Sequence, residues 1–372
     1  MALNQVGLER LNTATTKKIG KRKNIIINGD FRVAQRGTSS TSNGYQTVDR
    51  FLIFYDNTDE APTQQQISLD SSDTGPYETG FRKAYKITNG NQTGGAGTSD
   101  VIVFSTKLEA QDIATSGWNY TSSSSFITLS FWVKSSVAQT FYGQLVTDDG
   151  TKQNYPFETG SLTADTWTKV TKTIPGNSNL TFNNDTGEGI EMIFTLFRGT
   201  DTTGSVSLNA WAANNNSVRM PNNTSTWYTT NNATFEITGI QLEVGSVATD
   251  FEHRSFGEEL ALCQRYFFNI TGDNNQKTGV LGYANSSSNF RGVVYFPNVM
   301  RANPTFTGSA TAAVIDSNDD SSSFDVNTMS SGAIPQLFQS IVEANPGGMT
   351  AGECGQVEFR ANSGFMNFSA EL

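Results

Sequence analysis

The stretch Phe126-Ile-Thr-Leu-Ser-Phe-Trp-Val-Lys134 sets Ile127, Leu129, Phe131 and Val133 on one side of an extended chain, with Phe126, Thr128, Ser130, Trp132 and Lys134 on the other. Successive side chains of a strand point to opposite faces, so the first set belongs to a core and the second, mixed set to a half-exposed face. Short apolar or alternating runs recur at residues 25–27, 50–55, 84–88, 101–105, 140–146, 166–174, 189–197 and 234–244. Clusters of Gly, Asn, Ser and Asp separate them, with no helical period between. In 166–174 the alternation sets Trp167, Lys169, Thr171 and Thr173 against Thr168, Val170, Lys172 and Ile174. Such a series of short strands predicts an all-β jelly roll or two-sheet sandwich and excludes a parallel α/β fold.

Composition points the same way. The chain has 25 Phe and 34 Gly but only 16% charged residues among 372, a bias toward strands and turns and a length for two domains. Its formal net charge of -10, from 35 acidic against 25 basic residues, repels nucleic acid. No Lys/Arg stripe with interleaved aromatics occurs beyond the N-terminal arm. No apolar run approaches the roughly 18 residues of a membrane span. The opening MALNQVGLERLN lacks the charged-then-apolar order of a secretion signal, so no membrane insertion is expected and the chain is read as soluble and made in the cytoplasm. Cys263 and Cys354 are too few for a disulfide framework or a metal site and read as small buried hydrophobes.

Residues 1–23 form a polar arm ending in KKIGKRK, where Lys17, Lys18, Lys21, Arg22 and Lys23 gather around one glycine. Its charge predicts attachment to an acidic partner. The domain of residues 24–255 opens on Asn24-Ile-Ile-Ile-Asn-Gly-Asp-Phe31, read as a first core strand and its turn, because Gly accepts positive φ and Asn and Asp bond their own backbone. Segments 56–77, 89–99 and 205–232 are longer than ordinary connections. Residues 256–268 break the pattern: Leu260, Cys263 and Phe267 recur at i, i+3 and i+7 behind Glu258 and Glu259, predicting a short amphipathic helix between domains. Runs at 278–283, 289–296, 305–306, 312–316, 356–360 and 364–372 then predict a smaller β domain over 269–372. In it Pro297 and Pro304 bracket an extended segment that is no central strand.

The segments NIIINGDF, ITLSFWVKSS, DTWTKVTKTI and FEITGIQLEVGSVATDFEHRSF precede EELALCQRYFF, VVYFPNVMRANPTFT and a terminal FSAEL. In that order they resemble the carbohydrate-binding-module-like jelly roll and C-terminal part of bacteriophage tail fibres and related virion surface proteins, over residues 24–372. The resemblance implies a non-enzymatic virion structural protein of the tail that recognises host surface polysaccharide or lipopolysaccharide. Its arm would dock on other tail or portal-proximal proteins. Assembly as a homotrimer would also cover edge strands and Phe-rich surfaces. A head-fibre or collar scaffold without receptor function is the alternative, and an endoglycosidase a third. Modules of this fold often hold a structural calcium near the first strand. Asp30 fits that position, but Thr238-Gly239 stands where further acids would help, so no cofactor is expected.

Aromatic rings stack on the apolar faces of sugars while amides and carboxylates meet the hydroxyls. Trp118, Tyr120, Trp211, Trp227 and Tyr228, set among Asn, Ser and Thr, are the candidates, each of which can equally be a core residue. The single histidine, His253, gives a nucleophilic triad little to build on. Acids for glycan cleavage can be drawn from Asp148, Asp149, Asp165, Glu188 and Glu191, but turns and strand faces explain them more simply.

Overall fold

The structure is a computed structural model that describes residues 23–272, 276–309, 313–317, 323–326, 328–331, 337–359 and 364–372. Lys17, Lys18, Lys21 and Arg22 of the predicted arm lie outside the described residues. The first β unit contains β1 (Ser39–Ser40), β2 (Leu52–Asp56), β3 (Thr63–Ser68), β4 (Lys83–Thr88), β5 (Val101–Glu109) and β6 (Phe126–Ser135). It continues with β7 (Thr140–Thr147), β8 (Gln153–Ser161), β9 (Thr168–Pro175), β10 (Glu188–Arg198), β11 (Ala212–Ala213) and β12 (Thr234–Val244). Two six-stranded sheets, ordered β1-β3-β4-β12-β6-β9 and β11-β8-β7-β10-β5-β2, are packed face to face as a jelly-roll sandwich.

The predicted faces of β6 are the observed ones. Ile127, Leu129, Phe131 and Val133 are fully buried between the sheets. On the other side Trp132 packs with Leu69, Phe81, Trp167 and Phe251, and Lys134 pairs with Asp73 at 3.1 Å and Glu236 at 2.8 Å. The two sheets share an aromatic centre in which Phe104 stacks on Phe194, with centroids 4.9 Å apart, and Phe131 meets Phe194 edge-on at 5.2 Å.

The opening segment corrects the expectation. Residues 24–31 are not a strand. They lie beside β12 where its pairing with β6 shifts register between Thr238 and Gln241. There the Asn24 side chain takes a strand's role, donating to the Ile240 carbonyl at 3.0 Å and accepting from the Leu242 amide at 3.0 Å. Asn28 and Phe31 hold the left-handed conformations, at φ 59° and 56°. Gly29 is needed for another reason: its carbonyl accepts from the Ile240 amide at 2.9 Å, and a Cβ there would stand 2.1 Å from the Ile240 oxygen.

β3, with sequence TQQQIS, falls inside a predicted loop because a glutamine run carries no strand signal. Burial makes it a strand: Gln64 is fully enclosed and its side-chain oxygen accepts from Thr47 at 2.9 Å and the Tyr85 hydroxyl at 3.0 Å.

A helix spans Phe256–Gln264, opened by a capping box between Ser255 and Glu258. It stops short of Phe267 and Phe268, which enter β13 (Phe267–Gly272) and pair with the chain's last strand. The second unit adds β14 (Gln276–Ser286), β15 (Asn289–Tyr295), β16 (Thr305–Gly308), β17 (Ala313–Ser317), β18 (Ser323–Asp325), β19 (Met329–Ser331), β20 (Gln339–Ala344), β21 (Cys354–Phe359) and β22 (Gly364–Ser369). These form a three-stranded sheet, β13-β22-β16, and a seven-stranded one, β18-β17-β21-β14-β15-β20-β19, around Phe290, Phe359 and Phe368. Cys263 is buried as expected, but Cys354, the first residue of β21, is exposed against the expectation, and both are free thiols. No helix among the described residues is long and apolar enough to cross a membrane.

Candidate functional site

The alternation that fills the core also furnishes the outer face of the second sheet. On β5, Ile102 and Phe104 enter the core while Val101, Val103, Ser105 and Lys107 point away; β10 divides Met192 and Phe194 from Glu191, Ile193 and Thr195 in the same manner. β7 sends Phe141 and Leu145 inward and Tyr142, Gln144 and Val146 outward, and β8 adds Asn154, Pro156 and Glu158. Antiparallel register aligns the outward groups in rows: Ser105, Ile193, Gln144 and Pro156 in one, Val103, Thr195, Tyr142 and Glu158 in the next. A register shift between Thr195 and Phe197 carries Arg198 to this face beside Val101.

Buried Val101, Val103 and Ile193, with half-buried Val146 packed against them, make an apolar strip along the face. Around it, both amide atoms of Gln144, the Thr195 hydroxyl, the Asn154 side-chain oxygen and the Arg198 Nε are buried without a hydrogen-bond partner among the described residues. An unsatisfied buried polar group costs about 1–3 kcal/mol. Gathered on one sheet face, these groups call for a polar partner, whether ordered water or a ligand.

The segment between β10 and β12 flanks this face. Asn154 Nδ2 donates to the Arg219 carbonyl at 2.8 Å, and the amides of Asn209 and Asn214 donate to the carbonyls of Pro156 and Lys152, each at 2.8 Å. Half-exposed Tyr142, Glu158 and Glu191, with exposed Phe54, are accessible groups of this face. Partial burial and then the Glu158 charge raise the Tyr142 phenol above its ordinary value, keeping it a neutral donor and acceptor.

The aromatic candidates lie elsewhere. Trp227 is fully buried, its indole N–H donating to the Thr234 carbonyl at 3.0 Å. Tyr228 stacks on Phe197 at 4.2 Å and donates to Asp100 at 2.9 Å. Trp118 is buried, with its N–H on the Ser125 carbonyl at 3.2 Å, and half-buried Tyr120 meets Phe182 edge-on at 4.8 Å. Trp211 packs on Tyr155 at 5.2 Å and donates to the Pro175 carbonyl at 2.7 Å, bridging β8 of one sheet and β9 of the other. The buried rings of Trp118, Trp227 and Tyr228 cannot stack on a sugar in this conformation; core packing claims them. Tyr142, Gln144, Thr195 and Arg198 were missed because alternation says which residues share a face, not which of their polar atoms the fold leaves without a partner.

The candidate acids are dispersed. Asp148 pairs with Lys152, Asp149 accepts from the Asn183 amide at 2.9 Å, Asp165 sits in a turn at φ 55°, and Glu188 pairs with Lys107 at 2.8 Å. Of these only Glu191 belongs to the outer face described above, bonded by the Ser105 hydroxyl at 2.7 Å. His253 lies against Phe81 and Phe251. Asp30 is ion-paired with Arg32, and among the described residues no three metal-ligating side chains cluster. Lys23 is tied down by its amide, which donates to Glu252 at 2.9 Å. A second cleft, lined by Glu252, Arg254, Glu258, Leu262, Arg265 and Asn298, has its charges already engaged: Arg254 with Glu252 and Glu259, Arg265 with Glu109, and Glu258 in the helix cap.

No family model and no curated protein matches the chain. Among solved structures it is similar to the enzymatically active domain of tailspike protein 4 of bacteriophage CBA120, at 8% identity and a TM-score of 0.31, covering 60% of this chain and 21% of that one. The chain thus spans about a fifth of that domain's length. It is also similar to a CBM4 structure, at 13% identity and a TM-score of 0.30, covering 59% of this chain and 98% of that one. A third likeness is the CBM22-1–CBM22-2 tandem of Paenibacillus barcinonensis Xyn10C, at 8% identity and a TM-score of 0.29, covering 95% and 98%. At these scores no residue or activity transfers, and any function must be argued from this chain's own residues.

Proposed function

We propose that the chain is a binding protein that recognises a surface polysaccharide through the outer face of its second sheet, and that it serves as a phage tail fibre or spike. The observation that carries glycan recognition is the set of unpartnered amide, hydroxyl and guanidinium groups beside an apolar strip and the Tyr142 ring. A sugar chain offers what such a face lacks, hydroxyls that donate and accept next to apolar ring faces. The phage role rests on the resemblance of the ordered segments, with the basic arm as the virion-attachment element.

Tyr142→Ala should weaken binding to a panel of bacterial surface polysaccharides about tenfold or more, leaving the melting temperature within a few degrees of the parent. Wild-type protein that binds no polymer on the panel would sink the glycan reading and leave the head-fibre or collar scaffold.

Self-association is supported by a separate surface. The core-facing residues of β14 and β15 are Val280, Ala284, Phe290 and Val294, while Leu281, Tyr283, Val293 and Tyr295 stand exposed on the opposite face. Exposed sheet faces of this kind mark association sites. A second and third copy of this chain are the occupants that fit the trimer expectation. Leu281→Lys combined with Tyr295→Lys should convert an oligomer to a folded monomer in light scattering; a wild-type protein already monomeric at micromolar concentration excludes the trimer.

A further inference from the structure

One end of this face carries two arginines, Arg198 and Arg219, that no ion pair answers among the described residues, whereas Arg32, Arg36, Arg50, Arg254, Arg265 and Arg291 each form one. The Nε atoms of both are buried without a partner. The Arg198 Nη1 has only a long contact, 3.4 Å, to the Thr202 hydroxyl, and the Arg219 Nη2 donates to Asn216 at 2.9 Å. Thr202 ties the two together, since its carbonyl also accepts from the Arg219 amide at 2.9 Å. Burial first, and then the neighbouring Arg219 charge, push the Arg198 pKa down to about 10. The guanidinium therefore stays charged at neutral pH while feeling a like charge. Glu191, which partly offsets this, is held by the Ser105 hydroxyl.

A desolvated cation without a counter-charge is costly, and a planar guanidinium fork is matched to a carboxylate or phosphate. We propose that this face takes an acidic glycan, with an oxyanion of the sugar chain, a uronate carboxylate or a phosphodiester, seated between Arg198 and Arg219. The inference rests on the reading of the face as a glycan site and names the class of glycan. The anion would supply the missing counter-charge, while Gln144, Thr195 and Asn154 meet hydroxyls of the adjoining sugars.

Calorimetric titration of the full chain would use matched probes: polygalacturonate oligosaccharides against their methyl esters, and a phosphodiester-linked oligosaccharide against its neutral methyl phosphotriester. The acidic member of one pair should bind about 30-fold more tightly than its neutral partner. That preference should shrink as salt rises from about 50 to about 300 mM. Which pair shows it separates carboxylate from phosphate. Arg198→Met with Arg219→Met should abolish the preference, bringing the acidic member down to the affinity of its neutral partner, while Arg198→Lys should retain part of it. Equal binding of acidic and neutral partners, or a preference that survives the double substitution, overturns the inference with the glycan reading intact. Binding of neither member of either pair overturns it as well, and the polysaccharide panel then separately decides the glycan reading.

Discussion

Replacing Glu371 with glutamine is expected to destabilise the folded protein by about 3–5 kcal/mol, the usual consequence of leaving a buried charge without its partner. Glu371 neutralises two arginines of the first β unit at once. Its carboxylate accepts from Arg50 Nη1 and from Arg36 Nη2, the latter at 3.2 Å. Arg50 is 1% exposed, so water cannot replace the lost charge. Its remaining contacts are a hydrogen bond to the Lys107 carbonyl at 2.5 Å and the Tyr266 ring 3.4 Å beneath its guanidinium, and neither carries a full negative charge. Asp49 does not substitute: it lies 4.0 Å from Arg36, and burial raises its carboxyl to about 6. Urea denaturation at neutral pH measures the effect. The double variant Arg50→Met with Glu371→Met should recover much of the loss, because removing both charges also removes their desolvation cost. An unchanged midpoint for Glu371→Gln would mean that these C-terminal residues do not hold the first β unit in solution.

Trp227→Ala should lower stability by about 3–5 kcal/mol while the folded fraction keeps its polysaccharide affinity. The side chain is fully enclosed, with Phe141 edge-on at 6.3 Å, and the backbone amide of Trp227 donates to Gln139 at 2.9 Å. Deleting the indole opens a cavity and leaves the Thr234 carbonyl without the indole donor. A ring that stacked on sugar would give the reverse pattern, with affinity lost and the melting temperature held. Parallel thermal and binding measurements on this variant therefore separate a core residue from a ligand contact, and affinity lost at unchanged stability would return Trp227 to the site.

Some of this architecture was legible in the chain itself because it depends on local periodicity. The runs at 126–134 and 234–244 name their buried faces by alternation, and each became a long central strand whose inward set fills the core. The helix start was legible for the same reason, since Ser255 and Glu258 cap it with groups three residues apart. Its end was not, because pairing of Phe267 and Phe268 with β22, about a hundred residues on, won over the helical spacing. Residues 24–31 misled in a comparable way. Three consecutive isoleucines read as a strand, but the neighbouring backbone at β12 is irregular, and the Asn24 side chain supplies the bonds that a ladder would have supplied.

The sequence by itself determined the all-β class, most of the strands and the side of each that is apolar, all consequences of a two-residue period acting within one segment. Only the tertiary structure decided where a ligand could meet the chain. Tryptophans in Asn-rich surroundings look like sugar platforms until long-range packing encloses them, and Tyr142, Gln144, Thr195 and Arg198 look like ordinary strand residues until two strands distant in sequence set them on one outward face. Burial and the satisfaction of polar groups are properties of the assembled sheets, so neither Arg198's missing counter-charge nor Glu371's double pairing could be read before the strands were in place.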